Sequence, residues 1–106
     1  MKNRFGVPGS KLKDWLDGDE VPCTSESEAM AMAAGAWFAG VEPEVYMQNS
    51  GLGHIVDVVA SLYKTYGIPL PKLHLSVRKS PEHHIYMYEC TQKLLDMMGY
   101  RYVEYH

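Results

Sequence analysis

One glycine-rich string stands out for its chemistry: Gln48-Asn49-Ser50-Gly51-Leu52-Gly53, directly after a short apolar run around Val45 and Tyr46. Glycines let the backbone approach a ligand closely, and the free N–H groups that open a following helix attract anions. In open parallel sheets, ligands bind beyond the carboxyl ends of the strands. The string contains neither the Gly-Lys-Ser/Thr of a P-loop nor a full dinucleotide fingerprint. The residues alone therefore leave a ligand-binding loop and a structural turn equally open.

Two carboxylates, Glu26 and Glu28, lie in the first turn of a predicted helix that Thr24 or Ser25 caps. Because the helix dipole favours negative charge at this end, either carboxylate can be a purely stabilising acid. The alanine-rich body of the helix predicts close packing against a sheet.

The histidines and cysteines give a weaker signal. His74, His83, His84 and Cys90 are the residue types that bind zinc, but adjacent histidines have poor ligand spacing and no second ligand pair follows. The two cysteines form no CxxC, and the start of the chain has no apolar leader, so free thiols and a cytoplasmic protein are expected.

The elements that must position these residues alternate between strand-like and helix-like runs. This alternation predicts an α/β fold with an open, largely parallel sheet and helices on both faces. The expected helices cover residues 11–16, 26–39, 54–66 and 91–98. The expected strands include 43–47 at the centre of the sheet, 72–78 and 100–105.

The composition of the chain limits the fold and the functions that are expected. The chain has 106 residues, 46% hydrophobic and 22% charged, which predicts a single globular domain over residues 1–106. A net charge of −3 disfavours binding to nucleic acid through phosphate neutralisation. The longest apolar stretch, Ala29–Val41, is about half of a membrane span, so no membrane association is expected. The high content of Met (7) and Tyr (8) suits a surface covered by another chain.

Several segments resemble one known domain. Ser25–Gly35 followed by Tyr46–Gly53 is similar to the pyrimidine-binding domain of thiamine-diphosphate-dependent decarboxylases, most of all the phosphonopyruvate and sulfopyruvate decarboxylases. Phe5–Ser10 resembles the first strand and turn of that domain, and Thr91–Gly99 resembles a late helix. The resemblance covers nearly the whole chain and implies the thiamine-diphosphate-binding fold, in a truncated form.

The resemblance also assigns roles to residues. It places Glu26 at the family's catalytic glutamate, which binds N1′ of the cofactor's aminopyrimidine and so promotes loss of the thiazolium C2 proton. The loop Gln48–Gly53 would lie beside the pyrimidine ring. The family histidine that acts on the substrate-derived intermediate falls on His84 counting back from the late helix, or on His83 counting forward from the preceding proline. Arg78 matches a family arginine that faces an anionic substrate.

The sequence also departs from the family pattern at particular positions. Ser27 stands where the family has glycine, and His54 stands where it has asparagine. The chain is also shorter at both ends and contains no diphosphate-binding domain. The resemblance therefore implies an α-type subunit of a 2-oxo-acid decarboxylase, inactive alone, in a homo- or hetero-oligomer whose β-type partner holds Mg²⁺ and the diphosphate. The alternative is a non-catalytic binding or regulatory module with the same fold.

Overall fold

The structure is a computed structural model that describes residues 1–8, 19–78 and 84–106. Its strands are β1 Arg4–Gly6, β2 Val21–Pro22, β3 Glu44–Gln48, β4 Lys72–Ser76 and β5 Val103–Tyr105. Its α-helices are α1 Glu26–Phe38, α2 Val56–Val58 and α3 Ile85–Met98, with a 3₁₀ turn at Asn49–His54 before α2 and a π-helical turn at Val59–Lys64 after it. The predicted helix at 11–16 lies outside the described residues.

The five described strands form one sheet in the order β2-β1-β3-β4-β5, and every neighbouring pair is parallel. This confirms the predicted open parallel sheet, with β3 at its centre. The chain first moves outward from β1 to β2, then returns across β1 to β3 and continues in the opposite direction. The order of the strands therefore reverses between β1 and β3, which is where open α/β sheets bind ligands.

The two faces of the sheet differ in chemistry. On one face, alternate residues of β3 and β4 such as Val45, Met47, Leu73 and Leu75 are fully buried in the core with residues from all three helices. The opposite face carries the polar residues of the same strands. The described helices thus pack on one face. Most of the connection between β1 and β2, residues 9–18, lies outside the described residues.

Helix α1 packs closely on the sheet because its inward side is made of small residues. Ala29, Met30 and Ala33 are completely buried. The hydroxyl of Tyr63 donates a 2.6 Å hydrogen bond to the carbonyl of Met30, which satisfies the buried phenol. Burial raises the pKa of Tyr63, since the charged phenolate would have no water around it.

Two elements differ in extent from their predicted bounds. Helix α3 begins at Ile85, not near Thr91, because its buried stripe of Thr91, Leu95 and Met98 extends one turn upstream to Met87, which packs against the core. The predicted helix 54–66 is divided into the 3₁₀ turn, α2 and the π-helical turn.

The ends of these helices and the cysteines follow the sequence prediction. Gly67 and Gly99 end the helical segments with φ of 68° and 76°, a left-handed conformation that glycine adopts at low cost. Both cysteines are free thiols, with Cys23 buried and Cys90 exposed. None of the described helices has the length and apolar character needed to cross a bilayer.

Candidate functional site

A small pocket opens where the strand order reverses, beyond the carboxyl ends of β1 and β3. Its volume is about 180 Å³. The described residues that line it come from the segment after β1, the start of α1 and the segment after β3: Val7, Pro8, Glu26, Gln48, Ser50 and Gly51. The pocket therefore combines the two sequence features with the clearest chemistry, the helix-start carboxylate and the glycine-rich string.

Glu26 owes its position to the way α1 begins. Ser25 caps the helix in an extended conformation, and its hydroxyl oxygen accepts a 3.1 Å hydrogen bond from the backbone N–H of Glu28. Glu26 is thus the first helical residue, and its half-buried side chain reaches the pocket. A carboxylate in this place benefits from the helix dipole and still presents an oxygen to a ligand.

Glu28 has a different environment from Glu26, although only two residues separate them. The hydroxyl of Thr24 donates a 2.9 Å hydrogen bond to one carboxylate oxygen of Glu28, and the backbone N–H of Thr24 approaches the other at 3.4 Å. This arrangement is a variant of the capping box, in which the carboxylate holds the chain that enters the helix. Glu28 is therefore part of the helix cap, and it does not line the pocket.

Gly51 and Glu26 are in such close contact that no larger residue fits at position 51. A Cβ atom on Gly51 would lie 2.5 Å from Cγ of Glu26, 2.9 Å from its Cδ and 3.1 Å from its Oε1. Side-chain carbons do not approach each other this closely, so any other residue would displace the carboxylate. At Gly53, by contrast, an added Cβ would meet nothing within 4 Å. Gly51 therefore cannot be replaced without moving Glu26, whereas Gly53 has room for a side chain.

The remaining residues of the loop hold it in place. The side-chain oxygen of Asn49 accepts a 3.0 Å hydrogen bond from the backbone N–H of Arg78, and its amide donates to the hydroxyl of Thr91 at 3.1 Å. Asn49 is almost fully buried, and Leu52 is completely buried in the core. Of the predicted cofactor-binding residues, Gln48, Ser50 and Gly51 therefore line the pocket, whereas Asn49 and Leu52 anchor the loop to β4, α3 and the core. Gly53 is exposed.

The two departures from the family pattern contact each other. The hydroxyl of Ser27 donates a 2.6 Å hydrogen bond to the backbone carbonyl of His54. This bond joins the first turn of α1 to the end of the 3₁₀ turn, and the side chain of His54 is exposed. Ser27 thereby fixes the position of the loop relative to Glu26, a role that a glycine at position 27 has no side chain to fill.

The predicted substrate-facing residues lie farther along the same edge. Arg78 follows β4, and its backbone is joined to the loop through Asn49. His84 occupies the position before the first residue of α3 and is half-buried. His83 lies outside the described residues. Neither Arg78 nor His84 is among the described residues that line the pocket.

The pocket fits part of a thiamine cofactor and not the whole of it. A carboxyl group, a side-chain amide and a hydroxyl converge there, and the glycine backbone keeps the carboxyl group accessible. A pocket for a complete drug-sized ligand measures about 300–1,000 Å³, so this one suits a single ring. Glu26 is the one carboxylate among the described lining residues, whereas Mg²⁺ takes several oxygen ligands.

Comparison with known proteins gives three informative relatives. The chain is 49% identical over 70 residues to the alpha subunit of sulfopyruvate decarboxylase from Methanocaldococcus jannaschii, covering 59% of this chain and 41% of that subunit. It is 54% identical over 50 residues to the alpha subunit from Methanothermobacter thermautotrophicus, covering 47% and 30%. It is 37% identical over 79 residues to phosphonopyruvate decarboxylase from Streptomyces viridochromogenes, covering 70% and 20%. No protein-family model matches the chain.

These similarities confirm the resemblance that the sequence motifs indicated, to the alpha-subunit-like domain of sulfopyruvate and phosphonopyruvate decarboxylases. The chain spans between a fifth and about two fifths of the length of these relatives. The similarity therefore concerns one part of each relative.

Proposed function

We propose that this chain is the pyrimidine-binding, α-type part of a thiamine-diphosphate-dependent 2-oxo-acid decarboxylase. The observation that carries the proposal is the contact between Gly51 and Glu26 in the pocket where the strand order reverses. A glycine at position 51 leaves room for the Glu26 carboxyl group beside the pocket. A loop that binds a flat ring against this carboxyl group would need that room.

Glu26 would act by holding a proton at one carboxyl oxygen, directed at a ring nitrogen of the aminopyrimidine. The helix start and the Ser25 cap fix its backbone, while Gly51 limits where its side chain can lie. Thiamine diphosphate, when bound, supplies the electron sink that decarboxylation of a 2-oxo acid needs. The chain's own contribution is to orient the ring and to exchange one proton with it.

The substrate proposed is a small 2-oxo acid with a second anionic group, such as sulfopyruvate or phosphonopyruvate. The names of the relatives support this class. In this chain, Arg78 supplies a cation beyond the carboxyl end of β4, and His84 or His83 supplies an imidazole before α3. Arg78 would attract the anionic group, and the imidazole would position or protonate the product-forming intermediate.

A partner chain would complete the site. The pocket residues offer few oxygen ligands for Mg²⁺, so the metal and the diphosphate would be held by a β-type, diphosphate-binding subunit. Several large apolar side chains on the surface, among them Phe38, Met97 and Tyr102, are more than 60% exposed and are consistent with coverage by another chain. Most of the alanines of α1, including Ala29 and Ala33, are buried within the chain itself and are not available to a partner.

The proposal is tested by reconstitution. The chain alone, and the chain co-expressed with a β-type diphosphate-binding subunit, are supplied with thiamine diphosphate, Mg²⁺ and either sulfopyruvate or phosphonopyruvate. We expect release of CO₂ from the co-expressed pair and none from the isolated chain. Formation of a stable complex without CO₂ release from either substrate would instead favour the non-catalytic binding module.

A further inference from the structure

The polar face of the sheet brings three residues of metal-binding types together, one from β4 and two from the end of the chain about 30 residues later. In the register of β4 and β5, His74 lies directly opposite Glu104. His106 lies two residues beyond Glu104, so the strand period of two places it on the same face, and its backbone N–H donates to the carbonyl of Leu75. Strand pairing thus brings His74, Glu104 and His106 together.

The distances between these side chains match those between the ligands of one metal ion. Nδ1 of His74 lies 3.1 Å from Nε2 of His106 and 3.6 Å from Oε2 of Glu104, and Nε2 of His106 lies 3.8 Å from Oε1 of Glu104. Ligands around a tetrahedral Zn²⁺ at about 2.0–2.1 Å are separated from one another by about 3.3 Å. The two histidines approach different oxygens of Glu104, and one ligand atom from each of the three residues lies within 4.8 Å of the other two. A small movement of the exposed Glu104 and His106 side chains would bring the three atoms to the spacing of such a site.

The orientation of His74 is fixed in the way that a metal ligand needs. Its Nε2 is hydrogen-bonded at 2.5 Å to Oε1 of Glu44, and its ring stacks on Tyr46 with centroids 4.1 Å apart and planes within 3°. A carboxylate partner favours the proton on Nε2 and leaves the lone pair on Nδ1, which faces His106 and Glu104. A histidine that binds a metal commonly donates its other N–H to a carboxylate in this manner.

We propose that His74, Glu104 and His106 bind one Zn²⁺ ion or a similar first-row divalent cation, with Glu44 as the supporting carboxylate. Two histidines and one glutamate leave the fourth position of a tetrahedral ion open to water or another ligand. The ion would join the edge strand β5 to β4 and stabilise the sheet. This site shares no residue with the Glu26 pocket and does not depend on the proposed decarboxylase function.

Lys72 is the charged group that opposes metal binding. Its ammonium lies 2.9 Å from Oε2 of Glu104, so it occupies a carboxylate oxygen that the metal would take. Replacing Lys72 with methionine keeps an unbranched side chain that is one atom shorter and removes the competing cation. The metal should therefore bind several-fold more tightly to the Lys72→Met variant than to the wild type.

The test is titration of the metal-free chain with Co²⁺ and Zn²⁺, followed by calorimetry and by the visible bands of tetrahedral Co²⁺. We expect one ion per chain and a higher melting temperature when Zn²⁺ is present. His106→Gln and His74→Gln should each weaken binding by about 100-fold or more. Glu44→Gln should weaken it by about 10–100-fold, as removal of a supporting carboxylate does. His54→Gln, a remote exposed histidine, is the matched control.

Circular dichroism spectra of each variant separate loss of metal from loss of fold. His106→Gln is the decisive variant, since it changes an exposed residue and leaves the stacked pair of His74 and Tyr46 in place. The proposal is overturned if the wild type binds no ion, if folded His106→Gln binds as tightly as the wild type, or if His54→Gln loses binding equally.

Discussion

The Glu26 pocket and the His74 cluster lie on the same sheet but are assembled in different ways. Three of the pocket's lining residues lie within four consecutive positions, 48–51, and Glu26 is the first residue of a helix with a visible cap. The cluster joins His74 to His106, 32 residues away, and to Glu44, 30 residues away, through strand register alone. A site made of consecutive residues can be recognised in a sequence, whereas a site made by register requires the strand pairing to be known.

Among these variants, Gly51→Ala is expected to have the largest effect on the activity of the Glu26 pocket. The added methyl group would collide with Glu26, and a displacement of about 1 Å at a reacting group can cost about 100-fold in rate. We therefore expect decarboxylation by the reconstituted complex to fall by about that factor. Gly53→Ala is the matched control, because its methyl group meets nothing within 4 Å. Equal activities of the two variants would show that the Gly51–Glu26 contact is unimportant.

A second change tests whether the loop is anchored through Asn49. Asn49→Ala leaves the backbone N–H of Arg78 and the hydroxyl of Thr91 without their amide partner in a buried place. We expect the free energy of unfolding to fall by about 2–3 kcal/mol, measured by urea denaturation. Ser50→Ala, at the neighbouring exposed position, should change it by less than about 0.5 kcal/mol. If both variants lose a similar, small amount of the free energy of unfolding, Asn49 does not anchor the loop.

The smallest effect concerns the charged edge of the His74 cluster. The hydrogen bond and charge of Lys72 lower the pKa of Glu104 below its ordinary 4.5. Because the folded pKa is lowered, the stabilisation is present above the ordinary pKa and is lost as the pH falls through the folded value. In Lys72→Met we expect the pKa of Glu104, followed by NMR titration, to rise towards 4.5. Lys93→Met on exposed α3 should leave it unchanged.

Much of the fold could be predicted because local patterns agreed with one another. Alternating apolar residues predicted β3 and β4, and Gly67 and Gly99 marked the ends of helical segments. Thr24 or Ser25 predicted the start of α1, and the structure identifies Ser25 as the cap. The sequence predicted α3 to begin six residues too late, because Tyr86 and Tyr88 conceal the single inward-facing Met87 between them. The start of such a helix depends on which side chains pack against the core, and the hydrophobic pattern of the sequence does not show this.

The Glu26 pocket was easier to predict from the sequence than the His74 cluster, because contacts between distant residues contribute less to it. The glycine-rich spacing drew attention to the loop Gln48–Gly53, and the resemblance to a known domain assigned a role to Glu26, but neither predicted the separation of the loop into pocket-lining and anchoring residues. That separation depends on Arg78 and Thr91, which reach Asn49 from 29 and 42 residues away. For the histidines, the sequence offered His83, His84 and Cys90 as companions of His74. The structure places Glu104 and His106 beside it, which the alternation of polar residues in the last strand could have indicated.

The most direct test of the central claim is the rate of hydrogen exchange at C2 of thiamine diphosphate in the reconstituted complex. Glu26→Gln should slow this exchange by about 100-fold or more while leaving the fold intact, because it removes the carboxyl proton contact and keeps the side-chain volume. Glu28→Gln should exchange at nearly the wild-type rate, since Glu28 does not line the pocket and glutamine keeps one acceptor oxygen for the helix cap. Wild-type exchange in both variants would contradict the assignment of Glu26.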